Sequence, residues 1–496
     1  MNPLLLNTNQ GTSATSWQDR LYALTSKPAA ASHAPIKPSV VYEASVPSAS
    51  ATYAGVGAAS VDPSSNDALA ALMARNSASS QPSGLFAGLG QALLGRFSTE
   101  GADFQADVAG AGSADASVSL AIRTASGATV KLSLNGTQSG LSVSLTSDRT
   151  LSDSEKQAVA GLASAFQDAV DGLGKQLPTL SLDGLMAADP AVLTSVDLNA
   201  SIATAPGVHE SIALHTGSDS RSLKVDGAGG SIALNLDMSQ PATWGNRTQR
   251  DASVASYLDQ IDAAARRGHA DASLVSLFKD GFSQLNSHYP STPASASTRS
   301  SVRNLSGNDH AMLTGLADFD VSISQATQAP NPRQGSELDT FNYDASQSTA
   351  LSGRNASDRH ITQSQQSHLK ASFHTSPWPD VPLNLTDKIG SQNYNYTQID
   401  DSAHASTNIA YAKGELVAAT ISQDASQDTH VMKYMVGQLI DDSDTPSHRD
   451  ATRDLLPLLT QNARHPGTAE EQAMAADTLH AYTKLQADPS RIALHD

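Results

Sequence analysis

The chain has 496 residues, no cysteine and a formal net charge of −18, and hydrophobic residues make up 39% of it. The absence of cysteine excludes disulfide bonds and thiolate metal sites, and the diffuse negative charge argues against nucleic acid and anionic membranes as partners. We therefore expect protein partners. The length favours roughly three domains, and no apolar run approaches the roughly 20 residues that a transmembrane helix needs, so no membrane span is predicted.

Residues 1–60 are predicted to be a disordered, low-complexity arm, because Ser, Ala, Thr and Pro dominate and the few large side chains follow no period. The first acidic residue is Asp19, and the start lacks the basic and long apolar regions of a Sec signal peptide. An early segment that is polar and free of acids is typical of type III and flagellar export signals. Two locations stay open: the cytoplasm, or export without a Sec-type signal peptide.

Short helices are predicted over 61–100, from Asp67 to Arg75 and from Leu85 to Phe97. The clearest pattern follows over 101–240, where apolar and polar residues alternate as they do in half-buried strands. The alternating runs are Val118-Leu120-Ile122, Val130-Leu132-Leu134 and Leu141-Val143-Leu145. With Ser126-Gly127 and Asn135-Gly136 as predicted turns, they indicate an antiparallel β-meander with one buried face.

A helix is predicted to follow the meander, beginning at the capping box Ser152-Asp153-Ser154-Glu155 and ending before Pro178. Further alternation then predicts strands at Val196-Leu198, Ile212-Leu214, Leu223-Val225 and Ile232-Leu234-Leu236. The predicted fold class for 101–240 is therefore α+β, with a helix packed on a mostly antiparallel sheet.

The second half of the chain is predicted to contain a helical hairpin over 250–289, a linker over 291–309 and a polar β-rich region over 310–440. This polar region carries a loose internal echo, in which Asp344-Ala345-Ser346-Gln347 recurs as Asp424-Ala425-Ser426-Gln427. Residues 441–496 are predicted to be helical, with one helix over 450–460 kinked or broken at Pro457 and another starting at a Thr468–Glu471 capping box.

The common catalytic motifs fail at identifiable positions. Gly227-Ala228-Gly229-Gly230 begins like a dinucleotide fingerprint, but the sixth position is Ile232 and a strand follows, so a nicotinamide cofactor is disfavoured. Ser276-Leu277-Phe278-Lys279 matches the nucleophile motif of penicillin-recognising enzymes, but the companion motifs are absent and the residues fit a helix stripe. No P-loop, H-E-x-x-H or G-x-S-x-G occurs.

Two possible metal sites fail as well. Asp441-Asp442-Ser443-Asp444 lacks the glycine and glutamate that a calcium-binding EF-hand loop needs, and an acidic, solvated connection before a helix is predicted there. His360, His368 and His374 are the densest histidines, and His368 and His374 would share one face of a strand about 20 Å apart. We expect them to be exposed residues of a polar sheet. The sequence therefore assigns no catalytic, cofactor-binding or metal-binding residue.

The stretch from Val118 to Met186 resembles uncharacterised proteins of Gram-negative bacteria. The shared features are an alternating run ending in Leu-Ser-Val-Ser-Leu at 141–145, the acid-capped helix start at 151–157, and polar segments such as 391–396. The resemblance implies a bacterial origin and transfers no catalytic residue.

These observations favour a non-enzymatic structural or interaction protein, exported or associated with the cell surface. The first alternative is a cytoplasmic enzyme or effector with a site assembled from scattered residues, at the seam between 101–240 and 310–440. The second is a partner-binding module that uses an exposed edge strand of the polar sheet.

Overall fold

The computed structural model describes residues 67–79, 81–109, 115–173, 179–205, 208–290, 301–464 and 467–492. The predicted N-terminal arm lies outside the described residues, as do positions 291–300 of the predicted linker. None of the helices in the described ranges combines the length and the apolar character needed to cross a membrane.

The described residues form helices and strands in the following order. The helices are α1 (Ala68–Asn76), α2 (Pro82–Leu85), α3 (Leu89–Glu100), α4 (Asp153–Gly161), α5 (Ala163–Leu173), α6 (Asp183–Met186), α7 (Arg247–Gly268), α8 (Ala272–Leu285), α9 (Gly307–Ala311), α10 (Leu456–Arg464) and α11 (Ala469–Tyr482). The strands are β1 (Phe104–Ala109), β2 (Ala116–Thr124), β3 (Thr129–Thr137), β4 (Gly140–Ser147), β5 (Leu193–Ala205), β6 (Val208–Gly217), β7 (Ser220–Gly227), β8 (Gly230–Asp237), β9 (Asp318–Gln325), β10 (Thr340–Asn355), β11 (Asp358–Thr375), β12 (Tyr394–Ala412), β13 (Glu415–Met435), β14 (Gln438–Asp444) and β15 (Ser447–Asp454).

All of these strands belong to one 15-stranded antiparallel sheet with the order β1-β4-β3-β2-β5 and then β6 to β14 in sequence. β15 also pairs with β13, on the same side as β14. β14 and β15 therefore lie one after the other along β13, and only Thr445 and Pro446 separate them. The predicted α+β class with an antiparallel meander is confirmed.

The sheet has one face covered by helices, which we call the inner face, and an opposite, outer face. A single row of directly paired residues crosses the inner face from one end of the sheet to the other. The row runs from Phe104 through Leu145, Leu132, Leu120, Leu198, Leu214, Leu223, Leu234, Val321, Ala345, Ser367, Ala403 and Ala425 to Arg449. The alternation predicted for β2–β4 therefore continues in register as far as β13 and β15, whereas every residue of β14 is exposed.

The inner face is the floor of the hydrophobic core. α3 and α5 contribute Leu93, Phe97 and Phe166 over the first strands, and α8 contributes Phe278 and Phe282 over the middle ones. Over the last strands a separate, smaller cluster joins α10 and α11 to the sheet. Beyond α11, segment 483–492, which includes a 3-10 turn at Pro489–Arg491, packs Leu485 and Ile492 against alanines of β12 and β13.

Three local predictions need correction or refinement. The Ser152–Glu155 capping box is confirmed, but the helix that it starts ends at Gly161, and α5 follows separately. The predicted Asn135-Gly136 turn is wrong, because β3 runs through both residues and the chain turns at 138–139. Gly140 closes that turn at φ 149°, where a Cβ would lie 2.2 Å from the Val108 carbonyl oxygen.

The predicted helix over 450–460 is also wrong in its first half. Positions 450–454 belong to β15, and α10 begins at Leu456. Pro457 therefore lies in the first turn of α10, where its missing N–H leaves no helical hydrogen bond unmade. The Thr468–Glu471 capping box at the start of α11 is confirmed.

Candidate functional site

β14 forms one lateral edge of the sheet. It pairs with β13 on one side, and among the described residues no strand pairs with its other side. Every residue of β14 is exposed, whereas buried and more exposed residues alternate along most strands of this sheet. An open edge of this kind presents unpaired backbone N–H and C=O groups that can accept another strand.

The direction of the backbone groups follows from one hydrogen bond next to β14. The N–H of Thr445 donates to the carbonyl of Thr429 on β13 at 2.9 Å. Because inward and outward groups alternate in an antiparallel ladder, the N–H and C=O groups of Asp444 and Asp442 point away from β13. These are the groups available to a further strand.

The edge is apolar at its beginning. Leu439 and Ile440 are 48% and 56% exposed, and Val436 in the preceding turn is 52% exposed. Ile389, which is 50% exposed, lies against the same turn, since a Cβ at Gly437 would come 2.5 Å from its Cδ1. We call these four residues, Val436, Leu439, Ile440 and Ile389, the apolar end. Four large exposed side chains in one place are characteristic of an interaction surface.

The turn that carries the apolar end is held in an unusual conformation. Val436 and Gly437 have φ values of 51° and 74°, the combination found in tight hairpin turns. A β-branched residue rarely adopts a positive φ, so Val436 is strained unless its surroundings hold it. Asn393 accepts a hydrogen bond from the Val436 N–H, and the Gln392 carbonyl accepts one from the Gly437 N–H, both at 2.9 Å.

The other end of the edge is acidic. Asp441, Asp442 and Asp444 are exposed, and Asp442 contacts the His430 imidazole at 2.6 Å. The sequence predicted an acidic connection before a helix at this position, and that prediction is wrong, because these residues form a strand. The ladder with β13 holds them extended, and no helix follows until α10.

An internal cluster beneath the loop between β9 and β10 supports this edge. His374 on β11 is fully buried as a side chain and contacts two carboxylates, Asp339 at 2.6 Å and Glu337 at 3.2 Å. Tyr394 on β12 donates to Glu337 at 2.8 Å and stacks on Tyr434 of β13, with ring centroids 4.7 Å apart. Burial raises the pKa of both tyrosines, so both stay neutral. The cluster thus ties the strand that carries β14 to the body of the sheet.

The three histidines singled out in the sequence all lie on β11, and they are not equivalent. His368 pairs with Asp400 across to β12 at 2.9 Å, and His360 contacts Asn408. The expectation that all three are exposed is wrong for His374, which the loop between β9 and β10 covers. Among the described residues no three His, Asp or Glu side chains converge to hold a metal ion.

The remaining motifs fall in ordinary secondary structure. The 276–279 motif lies in α8, where Phe278 is buried in the core and Lys279 forms an ion pair with Asp262 at 2.6 Å. The glycines at 227–230 form the hairpin between β7 and β8, and a strand follows them. Neither arrangement presents a nucleophile or a phosphate site.

Comparison with known proteins adds no relative: no family model matches this chain, and neither does any curated protein or solved structure. A functional assignment for this chain therefore depends on the geometry of its own residues.

Proposed function

We propose that the chain is a protein-interaction module that binds an extended, basic segment of a partner as an additional strand along β14. The observation that carries the proposal is the complete exposure of β14 combined with pairing on one side only. Strand addition uses main-chain hydrogen bonds for affinity and side-chain contacts for specificity.

The charges of the edge favour a basic partner over a second copy of the chain. Two copies of β14 paired edge to edge would bring the carboxylates of Asp441, Asp442 and Asp444 close to one another, which is unfavourable for exposed like charges on neighbouring strands. A strand with Lys or Arg at alternate positions would instead face Asp442 and Asp444, which are two residues apart and share the outer face. Its apolar residues would lie against the apolar end.

The edge also carries features that restrict which strands can pair with it. Ile440 has no partner in the ladder because the register shifts between Lys433 and Tyr434, which is the signature of a β-bulge. Pro446 ends the strand, since proline has no N–H to donate. These features limit the available edge to a short segment and oppose indiscriminate aggregation.

The test uses the full chain and three fluorescent heptapeptides. One alternates Lys and Val, the second alternates Glu and Val, and the third repeats the first with N-methyl groups on alternate residues. We expect saturable binding of the Lys/Val peptide by fluorescence anisotropy, and weaker binding of the other two because one has the wrong charge and the other lacks N–H donors. Equal binding of the N-methylated peptide would contradict strand addition.

A charge-reversed variant sharpens the test. Asp442→Lys with Asp444→Lys should weaken binding of the Lys/Val peptide by about tenfold, equivalent to about 1.4 kcal/mol, and should improve binding of the Glu/Val peptide. The matched control for either single reversal is Asp107→Lys, an exposed acid of β1 at the other edge of the sheet, because it changes the net charge by the same amount. An equal loss of binding in the control would assign the effect to overall charge.

Export through the N-terminal segment remains a separate prediction. Fusion of residues 1–60 to a reporter should direct secretion in a strain with active type III or flagellar export. Retention of the reporter in such a strain would exclude that route.

A further inference from the structure

A second feature lies on the inner face, away from β14: a cavity of about 890 Å³ between α7, strands β10–β13 and the segment 483–492. Its floor is one cross-strand row, Tyr343, Leu369, Asp401 and Gln427. Its volume falls in the upper part of the range found for small-molecule sites, roughly 300–1,000 Å³.

The wall that α7 contributes to the cavity includes several small side chains. Four of them are alanines, at positions 252, 255, 263 and 264, and Ala255 and Ala263 are solvent-exposed. The opposite wall is held in place by amide side chains of β13: Gln423 donates to the Lys484 carbonyl at 2.9 Å, and Gln427 donates to the Ala487 carbonyl at 3.1 Å. The walls are therefore fixed by the fold and do not close on the space.

Two buried polar atoms in the cavity lining have no hydrogen-bond partner of normal geometry: the Tyr343 hydroxyl and Gln260 Oε1. Burial raises the pKa of Tyr343, although the neighbouring Ser367 hydroxyl opposes part of that rise. The phenol is therefore a neutral hydrogen-bond donor. A buried polar group without a hydrogen-bond partner destabilises the fold, so a ligand that satisfies both atoms would remove that penalty.

The charges of the lining leave an excess of cations. Arg267 forms an ion pair with Asp401, and Arg491 Nε lies 3.6 Å from Asp488. Lys484 and Arg266 form no ion pair among the described residues, and the one acid of the lining left without an ion pair there is Asp259. Lys484 is half-buried, which strengthens its attraction for an anion relative to a fully solvated ammonium.

From these contacts we infer that the cavity binds a small carboxylic acid that also carries hydroxyl groups. The carboxylate pairs with Lys484, a ligand hydroxyl donates to Gln260 Oε1, and a ligand oxygen accepts from Tyr343. The alanines of α7 cover the carbon skeleton. A plain fatty acid would leave both buried polar atoms unsatisfied, and a neutral polyol would leave Lys484 unpaired.

The test uses the full chain and five probes in isothermal titration calorimetry. Gluconate, quinate and tartrate carry both kinds of group, sorbitol lacks the carboxylate, and hexanoate lacks the hydroxyls. We expect at least one hydroxy acid to bind at least tenfold more tightly than sorbitol and hexanoate. The inference would be overturned if none of the three hydroxy acids saturated the protein. It would also be overturned if sorbitol and hexanoate bound as tightly as the hydroxy acids.

Variants then locate the binding site. Ala263→Phe should place a large side chain at the exposed side of the cavity and block binding, whereas Thr248→Phe, an exposed position of α7 outside the cavity, should leave binding unchanged. Tyr343→Phe and Lys484→Met should each weaken binding about tenfold. Circular dichroism and the unfolding midpoint check that each variant is folded. Binding that survives in a folded Ala263→Phe variant would place the site elsewhere and contradict the inference.

Discussion

The two halves of the sheet cover the same inner face with different chemistry. From β1 to β8 the central row is built of leucine after Phe104, whereas from β10 to β13 the same row reads Ala345, Ser367, Ala403 and Ala425. The first half buries large apolar side chains beneath helices. Around this row the second half buries small side chains and amides beneath α7 and segment 483–492, and a separate apolar cluster lies under α10 and α11. We call strands β1–β8 the leucine half and strands β10–β13 the amide half.

The amide side chains of the second half bind the backbone of the segments that cover them. Gln365 donates to the Thr483 carbonyl at 2.7 Å, and the Gln363 side-chain oxygen accepts from the Thr314 N–H at 2.9 Å. Gln347 accepts from the Thr314 hydroxyl at 2.8 Å. Thr483 caps the C-terminus of α11 and Thr314 follows the end of α9, so these backbone groups have no partner within a helix, and the sheet supplies one. One continuous sheet is thus stabilised chiefly by apolar burial in the leucine half, and in the amide half by side-chain-to-backbone hydrogen bonds together with the smaller apolar cluster under α10 and α11.

The largest expected effect lies in the leucine half. Leu132→Ala removes a side chain that is 1% exposed and paired with leucines on both sides. We expect a loss of about 2–5 kcal/mol in the free energy of unfolding, measured by urea denaturation. The control is Ser133→Ala, the next residue on the outer face, and a similar loss there would contradict the assignment of the two faces.

A smaller effect is expected in the amide half. Gln365→Leu removes the donor to the Thr483 carbonyl and the acceptor for the Tyr257 hydroxyl, and leaves both groups buried. The expected loss in the free energy of unfolding is about 1–3 kcal/mol. Gln366→Leu, whose side chain points outward to Ser346, is the matched control. If Gln365→Leu were neutral or stabilising, the proposed contribution of the amides would be refuted.

The smallest expected effect is a pH dependence of stability in the leucine half. It involves the Glu155 carboxylate, which belongs to the capping box at the start of α4. Hydrogen bonds from Ser126, Ser152 and Thr124 lower the pKa of Glu155 from 4.5 to about 2. A lowered pKa stabilises the fold above the ordinary value, and this stabilisation is lost as the pH falls through the folded value. The advantage of the wild type over Glu155→Gln should therefore shrink between pH 4.5 and about 2.

Unfolding midpoints across that pH window measure the Glu155 effect. Asp153→Asn is the control, because Asp153 lies in the same turn and takes no part in the capping box. A wild-type advantage over Glu155→Gln that stayed constant through the window would show that the charge of Glu155 does not contribute.

The leucine half was predictable because its strands alternate between large apolar and polar residues. Val118, Leu120 and Ile122 mark a buried face in the sequence itself, and the structure buries all three. The amide half was not predictable in this way, because polar residues occupy many of the inner positions of its strands as well as the outer ones. In Asp344-Ala345-Ser346-Gln347 the inner residues are Ala345 and Gln347, but an amide directed at a loop backbone looks like a solvated amide in sequence.

The candidate edge strand, β14, could not be predicted from the sequence either, for a different reason. A run of acids such as Asp441-Asp442-Ser443-Asp444 has low strand propensity, and its extended conformation comes from the ladder with β13. Which strand ends the sheet is a property of the whole topology. The only local signal was the combination of Leu439-Ile440 with an adjacent acidic run and Pro446.

The order of the strands determines how such a sheet could gain or lose strands. From β5 to β8 and from β9 to β14, sheet neighbours are also neighbours along the chain, and each runs antiparallel to the next. Removal of any two consecutive strands from these series would join two strands that already have compatible directions. The sheet is thus modular in steps of one hairpin, so that insertion or loss of a hairpin would widen or narrow it without reversing any strand.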